Sequence, residues 1–408
     1  MRQLLLNKIN KINTKNSKTA KVIVVACAAL CLYNSAHAIR PNIHKSGITI
    51  DPVFSFKQMY ESNIYLQPPG EQSPDLISDI QAGLNVNLPL VPERGKDIVA
   101  TALYRADVIA FWKNTQRTRV DHNLVGFFNS KFMKWFNANV KEHYRRTADP
   151  PNSELTALER RFRNDLSGNL AYIGEHLSVE LNYEMIVDSY DELKNLSRTN
   201  DIFTGALFWR WSPKTFMFLE YDFGLITYVN NTTNSNSSSH QPRIGISGDL
   251  WLRSYGTAKI GYRDVHYNES FKADYSGLAI YADFRWDITA RDRLHMYVSK
   301  TSEESSYSIN SYFSSNVIGG KFGHQFTERL ALNAGGFIRY NGYPEETFED
   351  GEFAKREDWI WGCEVGLKYE IREWVICSFM YDYKQRDSVF PGFNYIDHKV
   401  WGQLALTF

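Results

Sequence analysis

Residues 177–188 read LSVELNYEMIVD, and their side chains alternate between apolar and polar. The odd positions from Leu177 to Val187 are all apolar, and the even positions are polar except Ile186. Successive side chains of a β-strand point to opposite faces, so this period of two predicts a strand with one apolar and one polar face. Residues 80–90 and 359–371 repeat the pattern.

Alternating segments follow one another through the rest of the chain. We count 18 of them, at 47–59, 78–90, 98–113, 119–133, 136–147, 160–173, 176–189, 200–211, 215–228, 242–252, 256–267, 275–288, 293–302, 312–326, 329–341, 357–371, 374–385 and 396–408. Bacterial outer-membrane barrels have even strand numbers and periplasmic termini. The sequence predicts an all-β, antiparallel, up-and-down transmembrane barrel of about 18 strands over residues 47–408. If weaker segments near 119–147 merge, 16 strands are the alternative.

The connections between these segments alternate in length. Short ones, such as 212–214 and 372–373, alternate with long polar ones at 61–77, 148–159, 229–241, 303–311, 342–356 and 386–395. Short periplasmic turns and long external loops are typical of outer-membrane barrels. Within 148–159, Thr156 and Glu159 have the spacing of a capping box. A short helix that folds into the pore is therefore one expectation, but we favour an ordinary surface loop.

The first 38 residues have the three parts of a secretory signal peptide. Six basic residues and no acidic one occur there, Val22–Tyr33 is apolar, and Ala36 and Ala38 form a small-x-small cleavage site. The apolar run is shorter than the roughly 20 residues of a spanning helix. We therefore expect a signal peptide at 1–38, a short periplasmic segment at 39–46 and the barrel from 47. No later run of 18 apolar residues occurs, so a chain in the bilayer must cross it as a closed barrel.

Composition agrees with a barrel and argues against nucleic-acid binding. Aromatic residues make up 14% of the chain, with 24 Tyr, 25 Phe and 10 Trp. The whole chain has 46 basic and 46 acidic residues, so removing the six bases of the leader leaves 40 against 46, a net charge of −6. A mildly acidic chain lacks the basic surface that nucleic acids require.

The C-terminus carries a specific feature. Val400, Gly402, Leu404, Leu406 and Phe408 lie on one face of the last predicted strand. This pattern resembles the terminal signal that the barrel-assembly machinery reads in bacterial outer-membrane proteins. We therefore expect that machinery and the outer-membrane lipid to be partners of the chain.

Four stretches resemble a known family. They are Asp51-Pro52-Val53 with its following loop, residues 165–170 (DLSGNL), residues 250–263 with the segment AKIGYR, and the terminal Phe408. In layout they are similar to the putative β-barrel porin 2 family, outer-membrane barrels often encoded beside exopolysaccharide biosynthesis genes. The resemblance implies a barrel and a role in polysaccharide passage, with periplasmic polysaccharide-export components as further partners. It implies no functional residues.

Enzymatic and cofactor chemistry has little support in the sequence. No Gly-x-Ser-x-Gly motif occurs, and the histidines lie scattered over different predicted strands. We assign no catalytic residue, no metal ligand and no cofactor. Cys363 and Cys377 lie on adjacent predicted strands; a disulfide is conceivable there, but we favour two small side chains facing lipid.

The polar face of the strands should line the lumen, because a lipid-facing Arg or Lys costs about 2–4 kcal/mol at the membrane midplane. Tyr281, Tyr297 and Trp401 share that face and could stack on sugars. The candidate lumen residues are Arg105, Asp107, Arg163, Asp165, Glu180, Glu184, Glu220, Asp222, Arg243, Asp249, Lys259, Arg263, Asp283, Arg285, Glu364 and Lys368.

We predict a porin-like channel in the cell outer membrane, for passage or export of polysaccharide or another hydrophilic solute. A plugged structural or adhesive barrel is the alternative, and an outer-membrane hydrolase ranks last.

Overall fold

The computed structural model describes residues 48–407 except 94–95, 157, 231–233, 270–271 and 307–308. The predicted leader with Ala36 and Ala38, the segment 39–46 and Phe408 lie outside the described residues. The described residues form one sheet of 18 strands. The strands are β1 (Thr49–Glu61), β2 (Asp75–Glu93), β3 (Lys96–Phe111), β4 (Arg119–Met133), β5 (Phe136–Thr147), β6 (Arg161–Ile173), β7 (Leu177–Tyr190), β8 (Arg198–Ser212), β9 (Thr215–Tyr228), β10 (Ser237–Gly248), β11 (Ser254–Tyr267), β12 (Tyr275–Asp287), β13 (Asp292–Glu304), β14 (Tyr312–Gln325), β15 (Leu330–Glu349), β16 (Glu352–Arg372), β17 (Val375–Ser388) and β18 (Tyr395–Thr407).

The sheet closes on itself. Each strand pairs antiparallel with its neighbour in sequence, and β1 pairs with β18 from Val53–Thr407 to Glu61–Lys399. Closure pairs the backbone of both terminal strands and leaves no open sheet edge, as a membrane barrel requires. The predicted 18-strand barrel is therefore confirmed and the 16-strand alternative is wrong.

Short 3₁₀ turns at Thr115–Arg117, Lys194–Leu196 and Pro391–Phe393 complete the secondary structure of the described residues. None of the helical segments among these residues has the length and apolarity needed to cross a membrane.

The largest boundary errors of the sequence analysis lie at two predicted loops. β10 begins at Ser237 rather than 242, because the serines of the low-complexity stretch pair with β9 from Ser237–Ile226 onward. β15 and β16 continue through most of the predicted loop 342–356 and meet at Asp350 and Gly351. Both turn residues have positive φ, 53° and 88°, as a two-residue hairpin turn of the I′ kind requires. Polar composition predicted loops at these places, but backbone pairing tolerates polar side chains.

The two faces of the strands differ as predicted. On β7, β9 and β17 one parity carries large exposed apolar side chains, among them Leu181 (58% exposed), Leu219 (58%) and Phe379 (56%). The opposite parity carries most of the charges, and its side chains reach across intervening strands. On β11, for example, Lys259 bonds Glu220 of β9. Such contacts are favoured on the concave side of a closed sheet, where the side chains of strands two apart converge. The apolar parity is therefore the outer, lipid-facing surface and the charged parity is the lumen wall.

Connections of different length mark the two ends of the barrel. The loop end carries 62–74, 112–118, 148–160, 191–197, 229–236, 268–274, 305–311, 350–351 and 389–394, and the turn end carries the remaining, mostly shorter connections. Exposed Trp209, Trp211 and Trp374 lie beside short connections of the turn end. Amphipathic rings of this kind mark the membrane interface of a barrel.

A set of tyrosine–histidine pairs lies on the outer face toward the loop end. In each pair the tyrosine hydroxyl is hydrogen-bonded to Nδ1 of a histidine on the next strand: Tyr104 with His122 at 2.9 Å, Tyr221 with His240 at 2.7 Å, and Tyr381 with His398 at 2.9 Å. These pairs give the outer surface polar groups nearer the loop end than the tryptophans of the turn end. The sequence analysis missed them because the paired residues lie far apart along the chain.

Candidate functional site

The lumen wall gathers most of the predicted polar residues onto one surface. Strand alternation places 15 of the 16 candidates on the inner parity: Arg105, Asp107, Arg163, Asp165, Glu180, Glu184, Glu220, Asp222, Arg243, Lys259, Arg263, Asp283, Arg285, Glu364 and Lys368. Asp249 departs from the prediction. It lies in the connection between β10 and β11, where its carboxylate is 3.1 Å from Lys214 Nζ at the turn end. Its segment ends at Gly248 because that residue has a φ of 130°, which terminates the strand.

One group of lumen charges lies on β5 to β7. Asp165 accepts hydrogen bonds from Arg145 at 2.6 Å and from Arg163 at 2.8 Å. Arg163 also reaches Asp188 at 3.1 Å, and Arg161 lies 3.5 Å from the same carboxylate. Asp188 is buried. Three guanidinium groups therefore share two carboxylates across these three strands.

A second group lies on β9 to β11. Arg243 contacts both Glu220 and Asp222, and Lys259 Nζ lies 3.0 Å from Glu220. Two cations and two anions therefore neutralise each other across three strands. Pairs of this kind stabilise the wall through cross-strand contacts.

Asp283, Arg285 and His295 form a third group on β12 and β13. Asp283 lies 2.5 Å from His295 Nε2 and 3.5 Å from Arg285 Nε. On β16, Glu364 pairs with Lys321 of β14 at 2.9 Å, across β15. Acidic and basic groups thus alternate around the wall, and the lumen is polar with mixed sign.

The connection 148–160 between β5 and β6 turns into the barrel. Ser153 Oγ accepts hydrogen bonds from Arg339 at 3.2 Å and from Asn341 at 2.9 Å, both on β15. Arg386 of β17 donates to the carbonyl oxygens of Ser153 and Glu154. Since β15 lies halfway round the 18-strand sheet from β6, the loop crosses the lumen to the opposite wall.

The favoured expectation of an ordinary surface loop at 148–159 is therefore wrong, and so is the helix in its alternative. No helix forms among the described residues of this connection. Pro150 and Pro151 restrict their own and the preceding backbone to extended conformations. Asn152 Oδ1 then accepts hydrogen bonds from the backbone N–H groups of Glu154 and Leu155, which turns the chain without a helix.

A second inward segment lies at the loop end of β13. The β12–β13 ladder ends at Ile280–Lys300, although β13 continues to Glu304. Beyond that point Glu304 accepts a hydrogen bond from Tyr267 of β11 at 3.0 Å, and Ser302 accepts one from Arg263 at 3.0 Å. Both contacts bypass β12. The upper part of β13 therefore leans over the inner wall instead of pairing with β12, while it stays paired with β14.

The two inward segments meet at Glu154. Its carboxylate accepts hydrogen bonds from Ser305 Oγ at 2.8 Å and from the backbone N–H of Ser306. Glu154 is 1% exposed, and this burial raises the pKa of its carboxyl group above the ordinary value. A hydrogen-bonded acid thus joins two loops across the mouth of the barrel. We name this contact the Glu154 latch.

A charged cavity of about 580 Å³ lies beside the inward loop, against the wall from β1 to β6. Asp79, Asp107 and Arg163 line it from the strands, and Asp149 and Pro150 line it from the loop. Asp107 and Asp121 face each other directly across β3 and β4. The space left by the loop is therefore bordered by ionic groups and suits a hydrated, polar solute.

Sequence reasoning missed the residues that dock the loop, namely Ser153, Glu154 and Ser305. The sequence analysis marked this connection only by the capping-box spacing of Thr156 and Glu159; the turn residues Pro150, Pro151 and Asn152 were a further signal that it did not use. Among the described residues, no three His, Cys, Asp or Glu side chains are grouped to hold a metal ion. Cys363 and Cys377 are free and exposed. Cys363 pairs with Tyr383 and Cys377 pairs with Tyr369. The two cysteines are therefore six residues apart along the β16–β17 ladder, which is too far for a disulfide.

A closed barrel of 18 strands with an apolar outer face and a charged lumen is an outer-membrane β-barrel of the porin type. The chain belongs to the putative β-barrel porin 2 family, whose model matches residues 158–408. The resemblance stated from the sequence is therefore confirmed, and so is the location in the cell outer membrane. No match among curated proteins accompanies this one.

Solved porins share the fold. The crystal structure of Pseudomonas aeruginosa OpdK with vanillate is similar with a TM-score of 0.50 and 9% identity, over 88% of this chain and 99% of that chain. A BenF-like porin from Pseudomonas fluorescens Pf-5 is similar with a TM-score of 0.52 and 9% identity, over 89% of this chain and 99% of that chain. At such identities the likeness is one of fold.

Proposed function

We propose that this porin-like barrel is a conduit for hydrophilic solutes, and that its solute is a polysaccharide or an oligosaccharide that the cell exports or admits. The observation that carries the proposal is the loop 148–160, which crosses the lumen and leaves a charged cavity beside it. An 18-strand barrel is wide enough for an aqueous channel. An inward loop narrows the lumen of such a channel toward the width of a single solute molecule.

The inner wall also carries groups that suit carbohydrate. Tyr281 and Trp401 lie on the inner parity with Lys259 and Lys57 near their rings, at 5.4 Å and 6.0 Å from the ring centroids. Sugar rings stack on aromatic faces, and flanking charged groups bond their hydroxyls. These features support passage of carbohydrate, and the lumen groups act by binding rather than by catalysis.

The remaining proposals concern delivery and partners. Residues 1–38 act as a signal peptide of a Gram-negative cell, cleaved after Ala38, and 39–46 form a short periplasmic segment. Val400, Gly402, Leu404 and Leu406 lie on the outer parity of β18 and, with Phe408, serve as the signal for the barrel-assembly machinery. Periplasmic polysaccharide-export components are the proposed partners at the turn end.

A structural or adhesive barrel without transport is the second candidate. The Glu154 latch favours it, because two inward segments that meet across the mouth could keep the barrel shut.

Single-channel conductance of the purified, folded protein in planar bilayers separates the two candidates. We expect steady conductance that added oligosaccharide reduces. Conductance unaffected by any saccharide would support a general diffusion porin and refute the carbohydrate solute. Absence of conductance from protein shown to be folded by heat-modifiable gel mobility would refute the conduit and favour the structural barrel.

A further inference from the structure

Three consecutive cross-strand pairs on the inner face of β11 and β12 form a regular surface. Tyr255 pairs with Arg285, Thr257 with Asp283, and Lys259 with Tyr281. Together with Arg243 of β10 they line a lumenal cavity of about 530 Å³. The order of side chains is an aromatic ring and a cation, a hydroxyl and a carboxylate, then a cation and an aromatic ring.

The two tyrosines of this surface are exposed although they lie inside the barrel. Tyr255 is 55% exposed and Tyr281 is 39% exposed. Four residues separate their positions along the ladder, which corresponds to about 13 Å. Two rings at this spacing can contact successive units of one extended molecule, with the polar groups of Thr257 and Asp283 between them.

Arg285 differs from the other cations around the cavity. Arg243 contacts Glu220 and Asp222, and Lys259 contacts Glu220. By contrast, Arg285 makes one longer contact, from its Nε to the Asp283 carboxylate at 3.5 Å, and its side chain is 65% exposed. Asp283 in turn makes its shorter contact with His295. The outer edge of the Arg285 guanidinium therefore faces the lumen, and this planar fork matches a carboxylate in a bidentate manner.

From this arrangement we propose that the surface is a subsite for an oligosaccharide that carries carboxylate groups, such as a chain of uronic acids. Tyr255 and Tyr281 stack on sugar rings, Thr257 and Asp283 bond hydroxyl groups, and Arg285 binds a carboxylate. The inference rests on the proposed carbohydrate conduit and adds the class of carbohydrate.

Equilibrium binding to the detergent-purified protein tests the subsite independently of transport. The probes are oligogalacturonate, which is anionic, and a maltooligosaccharide of equal length, which is neutral, both measured by titration calorimetry. We expect tighter binding of oligogalacturonate. Arg285→Gln should reduce its affinity by about tenfold, as expected for loss of a charge-assisted bidentate pair, and should remove the preference over the neutral sugar. Tyr281→Ala should weaken both sugars, whereas Tyr281→Phe keeps the ring and should retain binding.

Matched controls lie elsewhere on the chain. Arg329→Gln removes an exposed guanidinium in the connection between β14 and β15, and Phe127→Ala removes an exposed inner ring on β4. Both should bind like the wild type. Equal affinity of the wild type for the two sugars, or an unchanged preference in Arg285→Gln, would overturn the proposal.

Conductance recorded on the same preparations distinguishes failure of the proposed subsite from failure of the proposed conduit. Selective binding without conductance would leave the subsite standing and refute the conduit. Conductance without saccharide binding would refute the subsite and leave the conduit standing.

Discussion

Replacing Glu154 by alanine should release the inward loop from the segment above β13. The carboxylate accepts two hydrogen bonds, from Ser305 Oγ and from the backbone N–H of Ser306. Hydrogen bonds to a charged group contribute about 1.5–3 kcal/mol each. Burial of the carboxylate offsets part of that, so we take the lower end of the sum, about 3 kcal/mol. This corresponds to roughly a hundredfold shift from the joined toward the separated arrangement.

Single-channel recording measures that shift directly. Glu154→Ala should increase the mean conductance or the fraction of time in the larger open state, because the segment that follows β13 is freed from the loop while Arg339, Asn341 and Arg386 still hold the loop itself. Glu159→Ala is the matched control, since Glu159 is a carboxylate of the same loop that belongs neither to the latch nor to the lining of the charged cavity. If Glu154→Ala and Glu159→Ala both conduct like the wild type with the same fluctuations, the latch does not limit the channel and the reasoning is refuted.

The pH dependence of the latch has a defined sign. Burial raises the pKa of Glu154 in the joined arrangement above its ordinary value of 4.5. The joined arrangement therefore binds the proton more tightly than the separated one, so its stability increases as pH falls from neutral toward 4.5 and decreases as pH rises through the raised pKa. Closures should become more frequent in mild acid, and Glu154→Gln, which carries no titrating proton, should lose this dependence. A wild-type pH response that persists in Glu154→Gln would assign it to another group.

Three further predictions concern the strands of the barrel wall and its C-terminal end. Asp188→Asn should lower the free energy of unfolding by about 3–5 kcal/mol, seen in a denaturant titration of the folded barrel, because it leaves buried guanidinium groups short of a partner; an unchanged midpoint would contradict the buried pairing. Leu181→Arg, on the outer face, should destabilise the barrel by about 2–4 kcal/mol, whereas Asn182→Arg, on the inner face, should have little effect on stability. Equal effects of the two substitutions would contradict the assignment of the apolar parity to the lipid-facing surface. Removal of residues 406–408 should reduce the amount of folded barrel in outer membranes, and a normal yield would argue against a terminal assembly signal.

Much of the fold follows from local pattern. Strands β4, β5 and β9 coincide with the predicted segments, including the two near 119–147 whose pattern is weaker. The errors at β10 and β15 arise where polar side chains continue a strand beyond the apolar band. Above the membrane, water solvates both faces, so the hydrophobic pattern no longer reports backbone pairing.

The site was less predictable than the wall. Alternation assigned Arg243 and Lys259 to the lumen. It could not predict that both contact Glu220, because that depends on which strands neighbour each other on the concave side. The direction of loop 148–160 had no comparable signal, since the contacts that hold it come from β15, β17 and the β13–β14 connection. Those contacts are separated from the loop by some 150 residues or more.

The sequence by itself determined that this chain is a membrane barrel and which face of each strand meets lipid, because strand geometry alternates side chains locally and lipid excludes charge. Only the tertiary structure decided which lumen charges contact each other, that loop 148–160 crosses to the opposite wall, and that the upper part of β13 separates from β12. Each of these depends on closure of the sheet, which brings β6 opposite β15 and lets side chains reach over an intervening strand.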